Sequence, residues 1–297
     1  MPFSAPMLSR KNTHAAATRN HNEKVLIMTR RPPLVNVMAR AAEKAARGLK
    51  RDFGEVEKLQ VSRKGPADFV STADFQAQKI LREELGHARP AFGFLMEEKD
   101  GEADTSGKSE RWIVDPLDGT TNFLHGVPQW CISIAAERDG EIIAGLVYNP
   151  IADEMFWAEK GLGAYVNNER LRVSARSDFS ECLVATGAPF KGSTKSVPAF
   201  LGELEAVMPL VSGIRRAGSA ALDLAYVAAG RYDGFWETGL GQWDVAAGIV
   251  IVKEAGGFVS PLILGQDPLK SGSLIASNVA IHEKLMQILR EVGSRRG

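Results

Sequence analysis

From Leu34 to Arg51, apolar residues return at helical spacing, with Leu34, Val37, Met38, Ala41 and Ala45 sharing one face. A second helix is expected from Asp74 to Gly86, capped by Ser71 or Thr72. The pattern then becomes extended. "FGFL" (Phe92 to Leu95) and "WIV" (Trp112 to Val114) are short apolar runs of the kind that form buried strands. "CISIAAERDGEIIAGLVYNP" predicts a hairpin turning at Asp139-Gly140, and "EMFWAEKGLGAYVNNERLRV" another turning near Gly161. After "CLVATGAP" helix and strand alternate: "SAALDLAYVAAGR" is helical, "YDGFWE" extended, "WDVAAGIVIVKEAGG" helical with a glycine stop, "SLIASN" a strand, and Ala280 to Arg290 a closing helix. Hairpins followed by alternation predict a layered α/β (α+β) fold. A soft boundary near Ser180 would divide residues 29–180 from 181–297.

A chain of 297 residues, 44% hydrophobic and 24% charged, can bury a sizeable core without staples. Lys plus Arg and Asp plus Glu number 36 each, which argues against a dedicated nucleic-acid or membrane-binding face. The two cysteines, Cys131 and Cys182, form no metal or disulfide pattern, so a reducing, cytoplasmic setting is expected. The longest apolar run, Ala246 to Val252, is too short to cross a bilayer. Residues 1–28 lack periodicity and carry Arg10, Lys11, Arg19 and Lys24 against Glu23 alone. A transit peptide has this look; the better reading is a disordered extension or a mis-assigned start, because Met28 directly precedes the first helix.

The chemistry gathers around "RWIVDPLDGTTNFLHG". Pro116 biases Asp115 to an extended conformation, so the strand should end there, with the Leu117 carbonyl outside any ladder. Asp118 resembles an N-cap, and Gly119, Thr120 and Thr121 would form a first helical turn with outward amides. Such amides suit phosphate, and two carboxylates with a carbonyl suit Mg²⁺. A surface turn explains this loop equally well by itself. Further acids shift the balance: Glu97 and Glu98 follow an apolar strand, and Asp244 opens a nearly apolar helix, where capping is the alternative. "KGPADFVSTAD" adds Asp68 and Asp74, the latter read as a first-turn helix residue outside the site.

Together "WIVDPLDGTTNF", "GPADFVSTAD", "MEE" and "WDVAAGIVIVKEAGG" resemble the signature of the inositol monophosphatase family, Mg²⁺-dependent and lithium-sensitive phosphatases, from about Leu34 to the C-terminus. The resemblance implies a layered αβαβα sandwich of the inositol monophosphatase and fructose-1,6-bisphosphatase type, and a homodimer. It implies that Glu97, Asp115 and the Leu117 carbonyl hold one Mg²⁺, that Asp115, Asp118 and Asp244 hold a second, and that Glu97 helps with a weaker third. Thr120, with Asp68, would orient the attacking water. Asp118, Gly119, Thr120 and Thr121 would meet the phosphate end of the substrate, and Gly218, Ser219, Ala220 and Glu237 its sugar end. Met96 departs from the small residue usual before the glutamates, and no remaining substrate contact can be placed after "CLVATGAP".

A small polyol phosphate, myo-inositol 1-phosphate first, is the expected substrate. Fructose 1,6-bisphosphate, histidinol phosphate and 3′-phosphoadenosine 5′-phosphate are the alternatives within the fold. Other machinery is missing: there is no D-x-D, no GxxxxGK[ST] and no HExxH, and His125 reads as a loop residue. A regulatory role beside the transcription machinery is the reading from another class. Arg30-Arg31, Arg215-Arg216 and Arg295-Arg296 would be its contacts, against the plainer view of solvated charge.

Overall fold

The computed structural model describes residues 31–55, 66–97, 108–189 and 196–294; the expected leading segment lies outside them. Helix α1 (Pro33–Phe53) begins with proline, where a missing N–H is tolerated, and buries Val35, Met38, Ala42, Ala45 and Leu49. Helix α2 (Pro66–Ala88) begins eight residues before the expected Asp74 start. Ser71 and Thr72 are therefore interior, not caps, and Asp74 lies mid-helix and buried. The physical reason is that proline at a helix start is compatible with helix, and nothing between Pro66 and Gly86 stops propagation.

The first sheet comprises β1 (Gly93–Met96), β2 (Glu110–Asp118), β3 (Cys131–Arg138), β4 (Glu141–Asn149), β5 (Glu154–Glu159), β6 (Gly163–Val166) and β7 (Glu169–Arg170), paired in chain order. Strands β1 and β2 are parallel and the rest antiparallel. Both expected hairpins form. Asp139 and Gly140 each take positive φ, the backbone a two-residue hairpin turn demands.

The second half adds β8 (Leu183–Thr186), helix α3 having already appeared between β2 and β3 as Thr120–Leu124. Then come α4 (Val197–Val207), β9 (Gly213–Arg215), α5 (Ala220–Ala228), β10 (Gly234–Glu237), α6 (Gln242–Glu254), β11 (Phe258–Pro261), α7 (Pro268–Ser271), β12 (Leu274–Ser277) and α8 (His282–Ser294). A second, mixed sheet runs β11-β12-β10-β8-β9.

Strand alternation sorts the core into three seams. Trp112, Val114, Ile132 and Ile134 face α1 and α2. Ile113, Ala135, Val147 and Phe156 face the other way, onto α5 and α6. Val184, Trp236 and Ile275 of the second sheet pack with Ile281, Leu285 and Leu289 at α8. The order is thus helix pair, sheet, helix pair, sheet, helix pair, the αβαβα arrangement that the resemblance implies. Helix α6 is apolar all round, with Val245 to Val252 buried, because it sits between two sheets. Its backbone rests directly on β4: a Cβ at Gly145 would meet the Ala247 carbonyl at 2.7 Å. Among the described residues no helix is long and apolar enough to cross a membrane.

Candidate active site

Strand β2 does not stop at Asp115. It continues to Asp118, with its register to β3 shifting between the Asp115–Ser133 and Asp118–Cys131 pairs. Proline cannot donate to a ladder, so the interruption is absorbed as a local bulge rather than a strand end. Within it the Leu117 N–H donates to Asp115 Oδ1 at 2.8 Å, and the Thr120 hydroxyl donates to the Leu117 carbonyl at 3.1 Å. Gly119 then takes φ +97° and a Cβ there would meet the Gln129 carbonyl at 2.9 Å, so only glycine allows this turn into α3.

Asp118 is not the N-cap of α3; Gly119 holds that position. Positive φ at residue 119 carries the chain away from the Asp118 side chain, which engages a different helix. Its Oδ2 accepts the Ser219 hydroxyl at 2.6 Å and the Ala221 N–H at 2.8 Å, anchoring the first turn of α5. The buried Cys131 thiol lies 3.7 Å from the same oxygen. Asp244 enters from the start of α6, where its Oδ2 accepts the Gly241 N–H at 2.7 Å. Capping is thus real, and it coexists with the site. Carboxylate oxygens of Asp115, Asp118 and Asp244 lie within 4.8 Å of one another. Glu97 follows β1, its N–H donating to the Val114 carbonyl at 3.3 Å, and its carboxyl group is hydrogen-bonded to Asp115.

Burial and mutual repulsion push these groups toward their neutral forms. Asp115 is raised well above the ordinary range, by burial first and then by Glu97. Asp244 is pushed up to about 8 by burial and by Asp118. Asp118 reaches only about 6: burial raises it, and the Ser219 and Ala221 hydrogen bonds oppose the rise. Crowded oxygen donors of one sign fit a hard cation, and buried charges of this kind are normally paired or metal-bound.

Glu237, at the end of β10, lies near enough to act on Asp118 and Asp244. Gly187 lies against it; a Cβ there would fall 1.8 Å from Glu237 Oε1. Gly187, inside "CLVATGAP", is a neighbour of Glu237 that the sequence alone does not single out. Its signal was a glycine directly after a strand, which marks close approach. Gly218 takes φ +87° between Arg216 and Asn122, and Ser219 and Ala220 begin α5 beside it. Asn122 was also missed. It donates to the Gln129 and Ala217 carbonyls at 2.6 and 2.9 Å, tying α3 to the segment before α5. Thr121 is exposed on α3, and His125 lies exposed just after it. Asp68 lies in α2, its side chain outside the described set, as is Glu98.

A five-layer sandwich with acids from strand and helix ends clustered within 4.8 Å of one another fits a class, the metal-assisted phosphomonoesterases. The chain belongs to the inositol monophosphatase family, whose model matches residues 31–294. An inositol-1-monophosphatase of Mesorhizobium japonicum is 54% identical over 266 residues, covering 90% of this chain and 99% of that protein. The solved structure of extragenic suppressor protein suhB from Bartonella henselae is 54% identical with a TM-score of 0.78, covering 87% of this chain and 99% of that one. A Nus factor SuhB of Pseudomonas aeruginosa is 39% identical, covering 87% of this chain and 96% of its own.

Proposed function

We propose that this chain hydrolyses myo-inositol 1-phosphate, or a close polyol phosphate, with Mg²⁺. The carrying observation is the convergence of Asp115, Asp118 and Asp244, with Glu97 bonded to Asp115 and Glu237 near enough to act on Asp118 and Asp244. Glu97, Asp115, the Leu117 carbonyl, Asp118 and Asp244 would hold two ions, with Glu97 serving a third. Bound Mg²⁺ supplies charge neutralisation for the phosphate and lowers the pKa of a ligated water. The chain's own groups do the rest. Thr120 and Asp68 would orient the attacking water, the Gly119 to Thr121 amides would meet the phosphate, and Glu237 with the Gly218 to Ala220 segment would receive the hydroxyls of the leaving alcohol. A homodimer in the cytoplasm is part of the same reading, supported by the family alone.

The test is phosphate release from myo-inositol 1-phosphate, fructose 1,6-bisphosphate, histidinol phosphate and 3′-phosphoadenosine 5′-phosphate, with and without Mg²⁺. Turnover of the first, dependent on metal and exceeding the others, is expected; no metal-dependent turnover of any polyol phosphate would sink the assignment. The relatives named Nus factor favour a second reading, an added contact with the transcription machinery. Co-purification with polymerase that persists in Asp118→Asn would support it, and absence of co-purification would reject it.

A further inference from the structure

Helix α6 opens with Gln242, Trp243 and Asp244, and all three are tied to the face of the first sheet that carries Asp115. In the β2–β3 ladder Asp115 stands opposite Ser133, Ile113 opposite Ala135, and Arg111 opposite Glu137. Strand side chains alternate, so these six residues share one face. Ile113 and Ala135, the middle pair, belong to the core seam that α6 fills. The start of the helix is fastened along this row. Arg111 Nη2 donates to Gln242 Oε1 at 3.2 Å, and the Ser133 hydroxyl donates to the Trp243 carbonyl at 3.0 Å. Asp244 then brings a carboxylate oxygen within 4.8 Å of those of Asp115 and Asp118. Ser133 is 1% exposed, and a hydroxyl buried that deeply needs a partner; the Trp243 carbonyl is the partner it has. Arg111 is ion-paired to Glu137, which holds its guanidinium in place for Gln242.

We propose that Ser133 is a positioning residue for the metal site: by holding the Trp243 carbonyl it sets where Asp244 lies relative to Asp115, with Arg111 as a second hook through Gln242. The inference rests on the reading of Asp115 and Asp244 as Mg²⁺ ligands. Those two residues come from elements far apart in the chain, and a bond between the elements is needed to fix one against the other. The Gly241 N–H orients Asp244 within its own helix start, but it leaves open how that start sits on the sheet. The Ser133–Trp243 bond closes this gap at the shortest range available. Ser133 is the ladder neighbour of one ligand, and Trp243 is the chain neighbour of the other. Mg²⁺ demands near-ideal octahedral geometry, so a small drift of the helix start weakens binding. Residues that support ligands in this way typically change metal affinity by about 10–100-fold when removed.

The experiment titrates Mg²⁺ into chelator-treated full-length protein, followed by calorimetry and by melting temperature, for the parent, Ser133→Ala, Ser133→Thr, Gln242→Ala and Ile251→Ala. In Ser133→Ala the Kd for Mg²⁺ rises at least about tenfold. Ser133→Thr keeps the hydroxyl on a residue suited to strands and binds within about threefold of the parent. Gln242→Ala frees α6 from Arg111 without breaking the Arg111–Glu137 pair, and its Kd rises about threefold. Ile251→Ala loosens the same seam two turns further along α6; it lowers the melting temperature of the metal-free protein but keeps Kd within about twofold. Phosphate release by Ser133→Ala returns to within about threefold of the parent once Mg²⁺ is raised in proportion to Kd, because every ligand is still present. Unchanged affinity in Ser133→Ala overturns the proposal, as does an equal loss in Ser133→Thr or in Ile251→Ala. If Ser133→Ala does not fold, unchanged affinity in the half-buried Gln242→Ala overturns it instead. A parent that takes up no Mg²⁺ sinks the functional reading, and this inference with it.

Discussion

Asp244→Asn separates a metal ligand from a structural cap in one measurement. At 4.8 Å, the bound on the separations among Asp115, Asp118 and Asp244, two ionised carboxylates repel by about 3.5 kcal/mol at an effective dielectric near 20. Burial first, and charge repulsion after it (from Asp118 on Asp244 and from Glu237 on Asp118), favours proton uptake by the metal-free protein and holds Asp244 at about 8 and Asp118 at about 6. Both folded values lie above the ordinary aspartate value near 4. The unfolded chain therefore ionises first, and the metal-free fold loses stability as pH rises from about 4 to 8. Asparagine removes one charge while its amide oxygen still accepts the Gly241 N–H. Without metal at pH 8 the variant should be more stable than the parent by about 1–3 kcal/mol, a rise of a few degrees in melting temperature. Mg²⁺ at about a hundredfold excess over Kd should stabilise the parent by about 2.7 kcal/mol and the variant far less. Thermal melts of chelator-treated protein, with and without added Mg²⁺, read both quantities. Phosphate release should fall by at least about a hundredfold. A metal-free variant that melts below the parent, or that keeps the full Mg²⁺ increment, refutes the reasoning.

Gly187→Ala would place a Cβ 1.8 Å from Glu237 Oε1. A side-chain tip can move, so we expect KM for inositol 1-phosphate to rise about tenfold with the melting temperature nearly unchanged; unchanged KM would refute the contact. Gly145→Ala instead meets backbone, the Ala247 carbonyl and Cα at 2.7 and 2.8 Å. It should cost about 1–3 kcal/mol in denaturant unfolding, and a neutral result would refute the direct seating of α6 on β4. His282 lies between Ser277 Oγ (2.7 Å from Nδ1) and Ser260 Oγ (2.8 Å from Nε2), and burial, aided by Arg290, lowers its pKa. Its contribution is complete above about pH 6.5 and lost as pH falls below that, because the unfolded chain takes the proton first. Melting temperature between pH 7 and 5 should therefore fall more steeply in the parent than in His282→Gln, and equal slopes would refute it.

What the sequence made legible was local. The Asp139-Gly140 turn follows from two residues that tolerate positive φ. Helix α6 follows from an apolar run too long for a strand, closed by Gly256. Legibility ended where a residue's partner is far along the chain. Asp118 reads as the cap of the helix that follows it, yet it anchors a helix more than a hundred residues later. That Asp223 is buried shows only in the layer that covers it. The start of α2 was misplaced because serine and threonine signal a cap in one context and are merely tolerated in another.

The choice between capping and metal binding, posed for Asp244 by sequence, dissolves for all three aspartates once their oxygens are followed separately. Asp115 Oδ1 holds the Leu117 N–H, Asp118 Oδ2 holds the Ala221 N–H, and Asp244 Oδ2 holds the Gly241 N–H. Each aspartate thus fixes itself to backbone through one oxygen while its carboxylate stays within reach of the other two. A carboxylate restrained in this way loses little freedom when a cation arrives, and its position is set by strand and helix ends rather than by a mobile loop. The hydrogen bonds also favour the ionised form against burial, as the smaller rise of Asp118 relative to Asp244 displays. Local structure and the proposed ligand geometry are therefore one device here. A residue that reads as a helix cap is not thereby excluded from chemistry, because the backbone N–H that it satisfies is also what aims it.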